Sequence, residues 1–204
     1  MEIFVKLPRM EPKQTKPFSA QEQMALRDFV LAAPTPRKVG LLLQMQLGLR
    51  IGEVCGLQWG DFDFKAGILT VRRTVSRIYC GTGCTKIVVQ TPKTKSSGRE
   101  IPIPHDLAAL LRKLRGSASP DTWFLSGSTE RPVEPRCYRK SIRGYLRRAG
   151  VRRVHPHALR HTFATTCLQS GCDIKTLSEI LGHADANVTL KRYVHTDMKR
   201  KKTE

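Results

Sequence analysis

The stretch HPHALRHTFATT, residues 155–166, packs three histidines and an arginine into seven positions. Written on a helix, His157, Arg160 and His161 stand at i, i+3 and i+4 and share one face. Two histidines four apart suit a metal ion, whereas a histidine and an arginine three apart suit a phosphate. A hydrolytic zinc helix of the HExxH kind needs Glu directly after the first histidine, and Ala158 stands there. Arg160 would also set a cation beside the metal. The metal reading is therefore weak, and a phosphate clamp requires further cations elsewhere in the chain.

The composition favours that search. The chain has 204 residues, enough for one sizeable domain, and 36 Lys and Arg against 17 acids give it a net charge of +19. Such an excess implies a polyanionic partner, nucleic acid before membrane. No apolar run approaches the ~20 residues of a spanning helix. No charged-then-apolar leader opens the sequence, so a cytoplasmic protein is expected. Cysteines 55, 80, 84, 137, 167 and 172 fall at no zinc-finger spacing. Cys80 and Cys84 flank GTG but lack a second pair, so free thiols are expected and no metal.

Outward from residue 155 the chain divides simply. Residues 1–18 read as a linker or tail, 19–195 as one domain and 196–204 as a basic tail. SAQE at 19–22 is a capping box opening a helix to about Leu31, and Pro36 opens a second to about Leu47. A short helix spans Ile51 to Leu57. Alternation in GILTVRRTVSRIY (67–79), TKIVVQT (85–91) and REIPIP (99–104) predicts three strands of one antiparallel sheet. Helices follow at 105–115, 134–149, 157–170 and 173–182, and a last short helix carries NVTLKRYVH, 187–195. The expected class is α+β, mostly helical, with a small three-stranded antiparallel sheet inserted early.

Three further places supply cations. Arg50 in LGLRIGEVCGL follows Gly48 and has Glu53 one turn on to orient it. Lys93 and Lys95 lie in the turn of TPKTKSSGREIP. His183 follows a helix end in LGHADANVTLKRYVH, with Tyr193 ten residues later. Eight basic residues and no acid lie between 136 and 153: Arg136, Arg139, Lys140 and Arg143, then Arg147, Arg148, Arg152 and Arg153. A helix so uncompensated repels itself unless an anion neutralises it, which points to DNA or RNA contact there.

In this order the motifs resemble the catalytic domain of tyrosine recombinases, the phage-integrase family. The likeness spans about 19 to 195, and the TPKTKSS-x-R-x-IP hairpin looks most like integrases of conjugative transposons or prophages. The resemblance implies catalytic roles for Arg50, Lys93, His157, Arg160, His183 and Tyr193, with Lys95 the alternative lysine because hairpin length varies. Glu53 would orient Arg50, and His161 would pack back into the fold. Lys95, Arg99 and the basic run of 136–153 would meet DNA. By the same likeness the arginines clamp a scissile phosphate, the lysine protonates the leaving 5′-hydroxyl, and Tyr193 forms a 3′-phosphotyrosyl bond without metal or cofactor. Family members usually carry a DNA-clamping domain ahead of the catalytic one, which does not fit in 1–18. This chain therefore resembles the catalytic domain alone, and a tetrameric synapse on double-stranded DNA is expected of the full-length protein in the nucleoid. A type IB-like topoisomerase and a non-catalytic DNA-binding protein on the same fold are the alternatives.

Overall fold

The computed structural model describes residues 16–91, 98–183 and 185–190. Helix α1, Ala20–Ala32, starts at the anticipated capping box: Ser19 Oγ accepts from the Glu22 N–H at 3.2 Å, and Glu22 Oε2 accepts from the Ser19 N–H at 2.8 Å. Helix α2, Pro36–Gln46, starts at Thr35 with Pro at its first turn. Its residues from Val39 to Met45 are all buried, so the other helices are arranged around it. Helix α3, Ile51–Cys55, and a 3₁₀ turn at Trp59–Asp61 lead into the strands.

The strands depart from the expected single sheet. β1 (Phe62–Asp63), β2 (Ile68–Val71) and β5 (Arg99–Pro102) form one antiparallel sheet in the order β1-β2-β5. β3 (Thr74–Gly81) and β4 (Cys84–Gln90) form a separate two-stranded ribbon whose base packs on α3. The predicted strand 67–79 is thus broken at Arg72–Arg73. Arg73 turns inward, where its Nη2 donates to buried Asp61 at 2.9 Å and its guanidinium lies 5.7 Å from the Trp123 ring. That inward arginine interrupts the pleat and sends the following strand out of the sheet.

Helix α4 (His105–Arg115), α5 (Pro135–Arg148), α6 (His157–Gln169) and α7 (Ile174–Leu181) follow at the anticipated places, with α8 at Ala186–Thr189. The remainder of the expected last helix lies outside the described residues. α5 buries Tyr138, Ile142 and Leu146 at four-residue intervals, and the Tyr138 hydroxyl donates to the Arg37 carbonyl at 2.9 Å. α6 packs on α2. Its Thr162 hydroxyl accepts from the Phe18 N–H at 2.8 Å, tying the incoming chain to the core. The result is a mainly helical α+β fold with small antiparallel sheets. Among the described residues no helix is long and apolar enough to cross a membrane.

Candidate active site

The C-terminus of α7 organises the site. Asp173 caps the start of this helix, and Gly182 ends it in the left-handed region at φ 62°. The Gly182 N–H donates to the Glu179 carbonyl and the His183 N–H to the Ser178 carbonyl, which is the Schellman pattern. Only glycine fits here, because a Cβ would stand 2.9 Å from Arg99 Nη1 as well as straining the backbone. The turn leaves the carbonyls of Ile180, Leu181 and Gly182 without intrahelical partners. Each accepts from a different arginine: Ile180 from Arg99 Nε, Leu181 from Arg160 Nη2 at 2.6 Å, and Gly182 from Arg50 Nη2 at 3.0 Å. The negative end of the helix thus gathers three guanidiniums that would otherwise repel one another.

Arg50 stands at the start of α3, just past the left-handed Gly48. Its Nη1 donates to Glu53 Oε1 at 2.8 Å, its backbone N–H donates to Glu53 Oε2 at 2.7 Å, and 37% of its side chain is exposed. Glu53 is buried. Arg99 meets it with both terminal nitrogens, Nη1 to Oε1 at 3.0 Å and Nη2 to Oε2 at 2.9 Å. Burial alone would raise the Glu53 pKa, but the hydrogen bonds and charges of Arg99 and Arg50 bring it down to about 2.

Arg160 is 6% exposed and donates from Nη1 to the Gly48 carbonyl at 2.7 Å, so α6 is bolted to the turn before Arg50. Its Nη2 also lies 3.0 Å from His183 Nε2. The Nδ1 of His183 lies 2.7 Å from the Thr189 hydroxyl oxygen. His183 is thus held between Arg160 on one side and buried Thr189 on the other. His157 opens α6 at the exposed edge, and its ring stacks on His155 at 5.0 Å and 14°. Burial, then the charges of Arg139 and Arg143, hold the His155 pKa below its ordinary value.

The structure therefore brings Arg50, Glu53, Arg160 and His183 together, with His157 on the same helix as Arg160. His161 is half-buried. Lys93, Lys95 and Tyr193 lie outside the described residues. Arg99 corrects the sequence reading: its guanidinium faces Glu53 in the interior, so it is not on a DNA-facing surface. The basic run also divides. Arg136, Lys140, Arg143 and Arg147 are exposed along one stripe of α5, Arg139 is half-buried near His155, and Arg153 is exposed. Arg148 instead lies over the Phe29 and Tyr145 rings, and Arg152 donates to Glu22 and to the carbonyls of Lys16 and Pro17. Arg152 is thus occupied in holding the chain ahead of α1. Sequence reasoning missed His155 and Thr189, neither of which carries a motif of its own. Among the described residues no cluster of three or more His, Cys, Asp or Glu is placed to hold a metal ion.

The sequence pattern of the phage integrase family matches residues 16–200. The chain belongs to the phage integrase family. Among its relatives in that family, a XerC-like tyrosine recombinase of Caldanaerobacter subterraneus subsp. tengcongensis is 32% identical over 182 residues, 80% of this chain and 46% of that one. The tyrosine recombinase XerA of Pyrococcus furiosus is 30% identical over 188 residues, 90% of this chain and 58% of that one. The chain thus spans about half the length of these phage-integrase relatives. A Tn1549 transposon integrase, solved with circular intermediate DNA, superposes with a TM-score of 0.70 at 25% identity, covering 94% of this chain and 68% of that one. A XerA recombinase superposes with a TM-score of 0.66 at 27% identity, covering 89% and 61%.

Proposed function

We propose that this chain is the strand-transferring part of a site-specific DNA recombinase, acting on double-stranded DNA as one protomer of a tetrameric synapse. The observation that carries this reading is the gathering of Arg50 and Arg160 on the last carbonyls of α7, with His183 against Arg160, in a chain of this family. The names of its relatives, recombinases and a DNA-bound integrase, support it.

In the proposed reaction Arg50 and Arg160 present forked donors to the non-bridging oxygens of a phosphodiester. That geometry matches phosphate better than a lysine point charge does. His157 and His183 add hydrogen bonds to the same oxygens. The Tyr193 oxygen attacks phosphorus, the tyrosyl–phosphorus bond forms, and the bond to the 5′-oxygen breaks. Lys93 gives that oxygen its proton, with Lys95 the alternative donor. The 3′-phosphotyrosyl ester keeps the bond energy, so a 5′-hydroxyl of a partner strand reseals it without a nucleotide cofactor. Cations of the protein stabilise the developing charge, so a divalent metal is not required. The exposed stripe of α5 would run along the DNA backbone.

The test is covalent trapping. Wild-type protein is incubated in excess EDTA with a pool of short nicked duplexes of randomised core sequence, then denatured, digested and mapped. The expected adduct joins a DNA 3′-phosphate to the peptide holding Tyr193 and is lost in Tyr193→Phe. Attachment through a 5′-phosphate or to another tyrosine, or an adduct that needs Mg²⁺, would overturn the mechanism.

A further inference from the structure

We propose that Arg99 is a positioning residue for strand cleavage: it holds Glu53 and the end of α7 so that Arg50 keeps its outer edge for the scissile phosphate. The inference rests on the recombinase reading above and assigns a role to a residue that touches no substrate.

The geometry carries it. Glu53 has two oxygens for two guanidiniums and one backbone N–H. Arg99 takes both oxygens in a fork from the β5 side, while Arg50 reaches only Oε1 with Nη1 and spends Nη2 on the Gly182 carbonyl. Without Arg99, Arg50 would be the one cation left against Glu53 among the described residues. A forked pair would then form between them, turning the guanidinium of Arg50 into the protein. Arg99 Nε also donates to the Ile180 carbonyl, next to the carbonyls that hold Arg160 and Arg50. One side chain therefore ties β5, α3 and the last turn of α7 together, with Arg99 and Glu53 themselves buried. Ion pairs of this kind are poor stabilisers of a fold, since two well-packed apolar residues often do as well. Orientation of a neighbouring catalytic group gives this pair a function that stability alone does not.

The titration of Glu53 supplies a readout of position. The charged groups against it are Arg50 from its own helix and Arg99 from β5, and α7 contributes only the carbonyls that these arginines bond. With Arg99 gone, burial is opposed by Arg50 alone, so protonation of Glu53 moves up in pH and releases Arg50 on acidification.

The experiment compares Arg99→Met, Arg99→Lys and the double variant Glu53→Gln/Arg99→Met. Adducts are measured in single turnover on duplexes selected by the wild type from the randomised pool, and DNA affinity is measured separately. Arg99→Met should slow adduct formation about tenfold to a hundredfold, with DNA affinity within a few-fold. Arg99→Lys should recover part of the rate. The acid limb of the Arg99→Met rate should lie at higher pH than in the double variant, because titrations elsewhere in the site are common to both. In parallel, carbon-13 NMR of Glu53 should give a pKa of about 2 in the wild type and a higher one in Arg99→Met. Wild-type cleavage by Arg99→Met, an unmoved acid limb, or equal loss of affinity and rate would each overturn the positioning role. A wild type that forms no adduct overturns the recombinase reading instead, while the Glu53 titration still reports whether Arg99 governs that carboxylate.

Discussion

Replacing Gly48 with alanine tests how the two arginines are joined. Gly48 has φ 68°, and a Cβ there would lie 2.5 Å from Phe163 Cδ1, 2.8 Å from Phe163 Cε1 and 3.0 Å from Leu181 Cδ2. Left-handed backbone costs an L-residue about 1–2 kcal/mol. Overpacking a filled core costs about 1–3 kcal/mol more. The restricted unfolded chain returns about 0.4–1 kcal/mol. The net loss is therefore about 1–4.6 kcal/mol, which for a chain of this size lowers the melting temperature by roughly 2–18 °C. Gly150 is the control: φ is 66° and nothing lies within 4 Å of its Cβ position, so Gly150→Ala carries the backbone cost alone. Thermal denaturation of both variants by circular dichroism isolates the overlap with Phe163. Because the Gly48 carbonyl accepts from Arg160 Nη1, Gly48→Ala should also slow adduct formation at temperatures where it is fully folded. Equal melting temperatures for the two variants would refute the close approach of Phe163 to this turn.

The remaining expectations concern charge. Arg50→Lys and Arg160→Lys should each leave DNA affinity within a few-fold but slow single-turnover cleavage about a hundredfold or more, since lysine keeps the charge and loses the fork. Near wild-type rates would reassign that arginine to a structural role. The lowered pKa of Glu53 makes its contribution to stability complete above the ordinary carboxylate value of 4.5 and lost as the pH falls towards about 2. Urea denaturation across that window should show less acid destabilisation in Glu53→Gln than in the wild type. Alanine at Arg136, Arg143 and Arg147 together should flatten the dependence of log affinity on log salt by about 0.9 per lost phosphate contact. An unchanged slope would remove the α5 stripe from the DNA interface.

Most of the helical frame was legible because its ends are local chemistry. Ser19, Thr35 with Pro36, and Asp173 each announce a helix start that the backbone then follows. The sheet was less legible because its break depends on partners distant in the sequence: alternation runs on through Arg72–Arg73, and it is Gln58, Asp61 and the Trp123 ring that receive the inward Arg73. Arg99 was misassigned although its signal was present. It shares parity with Ile101 and Ile103, both buried, so it sits on the core face of its strand. A charge at a core position needs a buried counter-charge, and Glu53 was the candidate. Within the α5 run Arg143 and Arg148 are both exposed, but position along the helix sets Arg148 over the aromatic rings of Phe29 and Tyr145. Lys93, Lys95 and Tyr193 lie outside the described residues, and their roles rest on the resemblance alone.

Arg50, Arg99 and Arg160 are gathered on the last carbonyls of α7, and among the described residues a single carboxylate, Glu53, stands with them. Three cations less one anion leave an excess of two positive charges on these groups, and a protonated Lys93 in the proposed reaction would add a third. Helix carbonyls lower the cost of that excess through partial charges but do not cancel it. A phosphodiester brings one negative charge, and attack by a tyrosine that has lost its proton brings a second. In the proposed reaction the positive excess would therefore be opposed more completely at the pentacoordinate phosphorus, which carries two negative charges, than with the resting substrate, which carries one. Interactions that are stronger there accelerate the chemical step, whereas equal binding of the resting phosphate would not. Adding a second carboxylate within reach of Arg160, or removing Glu53, would shift this balance without touching the nucleophile.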